Sequence, residues 1–154
     1  MALLTDLLDY FQIVFAAMTF VERRNFQLRI KRAEFIPLNV QGTSKLRISK
    51  GSAQTIPSVV IELETDNGIT GIAEALSGPP GYPEELQEEI MVALTCHILP
   101  LIINEDPENI SSIRIKMDRV LNGKYWTKAG VVNALFDLLG KARQKPVCEL
   151  LGGV

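Results

Sequence analysis

Residues 58–75 read SVVIELETDNGITGIAEA, and this stretch decides the fold. Its first part, residues 58–65, alternates apolar and polar side chains, with Val59, Ile61 and Leu63 on one side. Such alternation is typical of a strand that has one buried face. Asp66-Asn67-Gly68 predicts a tight turn, because Asn and Gly accept a positive φ at little cost. Residues 69–75 then return as a second strand, so the stretch predicts an antiparallel hairpin.

The segments on either side of the hairpin complete the strand region. Residues 28–40 mix apolar and charged side chains at near-alternating positions, which predicts a third strand. Pro37 cannot donate to a β-ladder, so this strand is expected at a sheet edge or to end in a bulge. Residues 41–56 show no strong periodicity and are interpreted as a loop, and residues 76–82, rich in Pro and Gly, as a second loop.

After Pro83 the apolar spacing becomes helical and predicts three helices, at residues 83–99, 106–122 and 128–143. Pro100 is expected to interrupt the first, Asp106 with Pro107 to start the second, and Pro146 to close the third before a short helical turn. Strands followed by helices predict an α+β architecture. The expected inward residues are Leu86, Ile90, Leu94, His97 and Leu101, then Ile110, Ile113, Met117, Val120 and Leu121, then Val131, Leu135, Leu138 and Leu139.

The first 27 residues precede this pattern. Apolar residues recur at helical spacing, which predicts an amphipathic helix. Residues 10–21 form an uncharged, mostly apolar run, too short for a bilayer, which takes about 20 residues. Three interpretations stay open for this leader: a packing or pairing helix, a segment with no role, and a membrane anchor. The apolar stripe consists of Leu4, Leu7, Leu8, Phe11, Phe15 and Met18.

Composition bounds the class of protein. The 154 residues are 47% apolar and 22% charged, which suits one globular domain. Sixteen basic against eighteen acidic residues form no electrostatic footprint for nucleic acid, and they make a membrane partner unexpected. Cys96 and Cys148 have no metal-ligand spacing. They are expected to be free thiols in a reducing compartment, which favours a cytoplasmic protein.

Few side chains suggest catalysis. His97 is the only histidine, and its place on an apolar stripe predicts a packing role rather than a general base. Glu84, Glu85, Glu88 and Glu89 are explained by a solvated helix N-terminus better than by a metal site. Lys45, Arg47 and Lys50 could hold an anion or form a solvated surface. Residue chemistry alone therefore assigns no catalytic residue and no metal ligand.

Three segments together resemble a known family. They are residues 60–75 (VIELETDNGITGIAEA), residues 99–107 (LPLIINEDP), and residues 134–142 (ALFDLLGKA) followed by 146–153 (PVCELLGG). They are similar to the N-terminal capping domain of the mandelate racemase/muconate lactonizing enzyme group of the enolase superfamily. The segments come in the family's order and extend over residues 29–153.

The resemblance implies a three-stranded antiparallel meander followed by a three-helix bundle, which in the family lies over a (β/α)-barrel. The barrel holds Mg²⁺ through three carboxylates and abstracts a proton α to a carboxylate, as in racemases, cycloisomerases and dehydratases. This chain is expected to end before that barrel. It would then hold no cofactor itself and be inactive alone.

The resemblance also assigns parts within the chain. Residues 28–145 would be the capping domain and residues 146–154 the start of the passage into a barrel, whereas residues 1–27, the amphipathic leader, have no counterpart in the family. The two loops would close over a small carboxylate substrate once a barrel is present, with Arg47, Ser49 and Tyr82 as the expected substrate-binding residues. The alternative is an interaction module that pairs with a separate barrel or associates with itself.

Overall fold

The computed structural model describes residues 28–48, 51–78 and 85–153, so the predicted leader helix lies outside the described residues. Three strands precede the helices, which confirms the α+β prediction. Within the described ranges, no helix is long and apolar enough to cross a membrane. The elements are β1 (Ile30–Ile48), β2 (Gly51–Thr65), β3 (Thr70–Leu76), α1 (Gln87–Val92), a π-helical segment (Ala93–Ile98), α2 (Leu99–Ile102), α3 (Ile110–Val120), α4 (Tyr125–Arg143) and α5 (Val147–Leu150).

The sheet is an antiparallel meander in the order β1-β2-β3, and it confirms the predicted hairpin. Gly68 closes the turn with a φ of 82°, a conformation in which glycine carries no steric penalty. Pro37 lies opposite Val59 on β1, which is an edge strand as predicted. Val59, Ile61 and Leu63 are fully buried. The face of the sheet that carries these three side chains is therefore part of the hydrophobic core.

The prediction of a loop at residues 41–56 is wrong. β1 and β2 stay paired as far as Ile48 and Gly51, whereas β3 pairs with β2 only from Ser58 onward. Residues 41–48 and 51–57 therefore form an arm that extends beyond the third strand. A register shift between Gln41 and Leu46 adds unpaired residues to β1. Such a bulge removes the simple alternation by which a strand is recognised in a sequence.

Helix α4 covers the buried face of the sheet at close range. A methyl group at Gly71 of β3 would lie 2.2 Å from the backbone oxygen of Ala134, and one at Gly130 would lie 2.9 Å from Ala75. The helix begins at Tyr125, three residues before the predicted start. Its four predicted inward residues are all buried, together with Ile90, Leu94, Ile98, Ile102, Ile113 and Met117 of the other helices.

The predicted apolar stripe of the first helix is wrong at two of its five positions. Leu86 is 48% exposed and His97 is exposed, while Ile98 and Ile102 are buried instead. The π-helical segment explains the change, because its wider turn moves every later side chain around the axis by about one position. Pro100 does not interrupt the helical course of the backbone, because it lies in the first turn of α2, where no amide donor is needed.

The second predicted helix begins later than expected. Asp106 does not cap it. Its carboxylate instead accepts a hydrogen bond from the amide of Glu108 at 2.9 Å in a separate turn, and the helix begins at Ile110. It ends at Val120, which is 49% exposed rather than inward, because Leu121 already has extended backbone angles. The short helical turn predicted after Pro146 is present as α5.

Side chains of α4 also close the outer edge of β3. The amide of Ile72 donates to Asp137 Oδ2 at 2.8 Å. Lys141 Nζ donates to the Thr70 carbonyl at 3.0 Å and to Asp137 at 2.6 Å. An open strand edge invites pairing with another chain, and these contacts satisfy its backbone groups. Residues 134–142 thus include the two polar side chains that protect the sheet.

Candidate functional site

The arm and the end of β3 lie at the same end of the sheet. The amide of Ser77 donates to the carbonyl of Pro57 at 3.2 Å, which fastens the exit of β3 to the base of the arm. Gln87 Nε2 donates to the carbonyls of Leu38 and Ser58 at 2.9 and 2.7 Å, which fastens α1 to the same base. The described start of the second predicted loop, residues 76–78, therefore lies beside the base of the arm.

A cleft of about 380 Å³ lies under the arm, on the face of the sheet that the helices leave free. Its apolar part comes from the arm and from Leu76, and its polar part includes the exposed carboxylate of Glu74. Apolar walls with a few polar groups are typical of sites for small molecules. The lining residues are Val40, Gly42, Ser44, Gln54, Ile56, Ser58, Glu74 and Leu76.

A second cleft of about 350 Å³ shares Glu74 and Leu76 with the first. Its other wall is the start of α4, where Tyr125, Ala129 and Asn133 follow one another at helical spacing and Trp126 adds an indole. Tyr125 is 73% exposed. The sequence interpretation missed this wall, although an aromatic pair followed by a polar residue at the same helical face is a usable signal.

The position of those aromatic residues depends on Glu85. This carboxylate is 2% exposed and accepts hydrogen bonds from the amides of Trp126 and Thr127 at 2.7 and 3.1 Å, and from the Thr127 hydroxyl. The prediction of a solvated acidic fringe is therefore wrong for Glu85. It caps the N-terminus of α4, where amides have no partner within the helix and negative charge is favoured.

The predicted substrate-binding residues are only partly described. Arg47 lies on the arm opposite Ser52, and its side chain is exposed. In the described ranges neither Arg47 nor Lys45 has an ion-pair partner. Ser49 and Tyr82, like Lys50 and Glu84, lie outside the described residues. The structure thus places one of the three predicted residues at the arm end of the sheet.

His97 lies elsewhere, at a third cleft of about 370 Å³ on the helical side. This cleft is bordered by Glu88, Glu89, Val92 and Lys124, and Lys124 Nζ lies 2.6 Å from Glu89 Oε2. Across the part of the chain that the structure describes, no three His, Cys, Asp or Glu side chains come together as a metal site. These residues do not fit a Mg²⁺ ion, which prefers carboxylate oxygens around one point.

The Glu89–Lys124 pair predicts a pH dependence of stability. The hydrogen bond from Lys124, followed by the one from the Leu86 amide, lowers the pKa of Glu89 from its ordinary value of 4.5. A carboxyl with a lowered folded-state pKa stabilises the fold above its unfolded value and loses that effect as the pH falls through the folded value. Wild type is therefore expected to melt above Glu89→Gln at neutral pH, and the difference should shrink in acid.

Thermal melts followed by circular dichroism at several pH values would measure this difference. Lys124→Gln is the matched control, because in that background Glu89 keeps only the hydrogen bond from the Leu86 amide, and the Glu89→Gln substitution should have a smaller effect at neutral pH. A gap between wild type and Glu89→Gln that stays constant well below pH 4.5 would contradict the assignment.

Comparison with known proteins agrees with this architecture. The chain is 35% identical over 106 residues to N-succinyl-L-Arg/Lys racemase of Bacillus cereus, covering 69% of this chain and 28% of the racemase. It is 32% identical over 108 residues to muconate cycloisomerase 1 of Pseudomonas putida, covering 70% of this chain and 29% of that enzyme. The chain thus spans less than a third of the length of these relatives.

The fold agrees as well. The crystal structure of muconate lactonizing enzyme from Pseudomonas fluorescens, complexed with muconolactone, matches with a TM-score of 0.78 at 28% identity, over 82% of this chain and 34% of that one. The family model described as mandelate racemase / muconate lactonizing enzyme, N-terminal domain, matches residues 34–152. That range contains β2, β3, all the helices and most of β1, so the chain belongs to the mandelate racemase/muconate lactonizing enzyme family, as its N-terminal domain.

Proposed function

We propose that this chain is the capping domain of an enzyme that abstracts a proton α to a carboxylate, and that its arm end faces the substrate. Residues 28–145 would be the cap, and residues 146–153 would lead toward a barrel. The barrel would hold Mg²⁺ and the acid/base groups, so the chain alone is expected to be inactive. A reducing, cytoplasmic location suits Cys96 and Cys148, which are exposed and unpaired.

The observation that carries this proposal is that the arm and the aromatic start of α4 both border the end of β3. Two clefts open there on either side of Glu74 and Leu76. A cationic arm beside mixed apolar and polar walls suits a small carboxylate, because a guanidinium can bind both oxygens of a carboxylate. Arg47, Ser49 and Tyr82 are the residues that we propose for substrate binding.

A chimera would test the proposal. Residues 28–153 would replace the matching part of the B. cereus racemase, and activity would be followed with Mg²⁺ as deuterium incorporation at the α-carbon of its substrate. The chimera is expected to exchange, whereas this chain alone is not. Arg47→Ala should raise KM about tenfold with a smaller effect on kcat, since a hydrogen bond to a charged group contributes about 1.5–3 kcal/mol.

Lys31→Ala is the matched control, because Lys31 is an exposed cation on the same strand but lies at the opposite end of the sheet. It should leave KM unchanged. Exchange by this chain alone would contradict the proposal, as would a folded chimera whose KM responds equally to both substitutions.

An interaction module that joins a separate barrel or a second copy is the other candidate. It is supported by exposed apolar side chains on the helical side, among them Val92, Val120 and Leu151. Large apolar side chains in contact with water favour association. Light scattering after size-exclusion chromatography distinguishes the two, because the capping role alone predicts a monomer and self-association predicts a defined oligomer.

A further inference from the structure

The face of the sheet opposite the helices carries a ladder of side chains that we call the open face. Directly opposed residues of antiparallel strands project to the same side, so the strand register defines its rows. From the turn end to the arm end, these rows are Arg32–Glu64–Thr70, Glu34–Glu62–Ile72, Ile36–Val60–Glu74, Leu38–Ser58–Leu76 and Val40–Ile56.

The open face has two parts. At the turn end, one guanidinium, that of Arg32, pairs with the carboxylates of Glu64, Glu34 and Glu62 at 2.8, 3.2 and 3.7 Å. Three carboxylates share one cation there, which leaves excess negative charge. Toward the arm the rows become apolar, and Ile36, Leu38, Val40 and Ile72 are all exposed, Val40 at 64%. An acidic end thus joins an exposed apolar area.

We propose that residues 1–27 of the same chain fold back over the open face, with their apolar stripe on Ile36, Leu38 and Val60. The position of Arg29, close to where the described residues begin, supports this proposal. The amide of Arg29 donates to Asp66 Oδ1 at 3.2 Å, and its carbonyl accepts from the amide of Asp66 at 2.9 Å. The leader is therefore joined to the sheet at the turn end, directly beside the acidic rows.

The order of charges along the leader matches the order of the rows. Arg23 and Arg24 lie closest to the junction and so fall beside the excess negative charge of Glu34, Glu62 and Glu64. Residues 10–21, which carry no charge, would then lie along the apolar rows. Glu22 lies next to Arg23, so the junction end of the leader carries a net single positive charge. The uncharged residues follow, and Asp6 and Asp9 come last, toward the cationic arm. The docked leader would also cover the cleft under the arm, so docking and occupation of that cleft would exclude each other.

The lengths agree as well. Residues 32–40 of β1 extend over about 27 Å at 3.3–3.4 Å per residue. Residues 4–24 would extend over about 30 Å as a helix at 1.5 Å per residue. A tethered segment is also present at a high effective concentration, which favours it over a separate molecule. Length, charge order and attachment point thus all fit the leader.

Disulfide formation in the full chain would test this contact. In a background with Cys96→Ser and Cys148→Ser, Val60→Cys would be combined with Phe15→Cys, on the apolar stripe, or with Ala16→Cys, one residue later and on another side of the predicted helix. At low protein concentration, the Phe15 pair is expected to close within the chain at least about tenfold faster, because docking raises its effective concentration selectively.

Charge reversal adds a second readout, since Arg23→Glu with Arg24→Glu should slow closure of the Phe15 pair. Ile36→Cys, directly opposite Val60, provides a second anchor should Val60→Cys disturb the fold, and circular dichroism of the reduced variants checks folding. Equal rates for Phe15 and Ala16, or no disulfide in either, would overturn the proposal. Disulfide-linked dimers as the main product would overturn it in favour of a second copy on the open face.

Discussion

Replacing Gly71 with alanine is expected to lower the free energy of unfolding by about 3 kcal/mol, at the upper end of the cost of overpacking a core. A methyl group at this position would lie 2.2 Å from the carbonyl oxygen of Ala134 and 2.5 Å from Cβ of Leu138. The closest obstacle is helix backbone, which cannot rotate away as a side chain can. The helix would have to separate from β3 and lose part of the core.

Gly68→Ala is the matched control in the same hairpin. Gly68 has no atom within 4 Å of an added methyl group, but its φ of 82° strains any residue with a Cβ. That strain costs about 1–2 kcal/mol, so this variant should be less affected. Urea unfolding followed through Trp126, the single tryptophan, would compare the two. A Gly71→Ala variant as stable as Gly68→Ala would show that α4 and β3 are not in such close contact.

Replacing Glu85 with alanine is expected to cost about 3 kcal/mol, because each buried donor left without a partner costs about 1–3 kcal/mol. The substitution removes the acceptor for the amides of Trp126 and Thr127 and for the Thr127 hydroxyl. Glu85→Gln should retain part of the stability, since an amide oxygen still accepts hydrogen bonds but carries no charge toward the helix N-terminus.

The same urea unfolding experiment would measure these variants, with Glu88→Ala as the control. Glu88 follows Glu85 by three residues but is exposed, so its substitution should change stability by less than about 0.5 kcal/mol. Equal effects of Glu85→Ala and Glu88→Ala would contradict the role of Glu85 as a cap. If the fluorescence of Trp126 in folded Glu85→Ala already resembled that of the unfolded chain, this would also show that the cap positions the aromatic wall of the second cleft.

The hairpin was predictable because its signals act between near neighbours. Val59, Ile61 and Leu63 recur at every second position, with Glu62 and Glu64 on the other side. This spacing specifies both the strand and its buried face, and Asn67-Gly68 specifies the turn. The apolar positions of α4 were predictable for the same reason. The three segments that resemble the family were sufficient for its assignment, which the match to residues 34–152 confirms.

The candidate site was less predictable. Its arm follows a register shift after Gln41, and an irregular register removes the periodicity on which strand prediction depends. His97, predicted to face inward, is exposed and Ile98 is buried in its place, because both lie in the π-helical segment Ala93–Ile98. The register shift hides a strand from its sequence, and the π-helical segment changes which side chains of the first helical stretch face the core.

The sequence by itself determined the order of elements, the buried face of the sheet and the family. The order of elements and the buried face follow from propensity and periodicity within a few neighbouring residues, whereas the family follows from the resemblance of three segments. Only the tertiary structure decided that Glu85 caps a helix 41 residues away. The same holds for the close packing of α4 on β3 at Gly71, where a larger side chain would clash. The tertiary structure also decided that the arm and the start of α4 border two clefts that share Glu74 and Leu76. Those features depend on contacts between distant parts of the chain, which exist only after the helices have packed on the sheet.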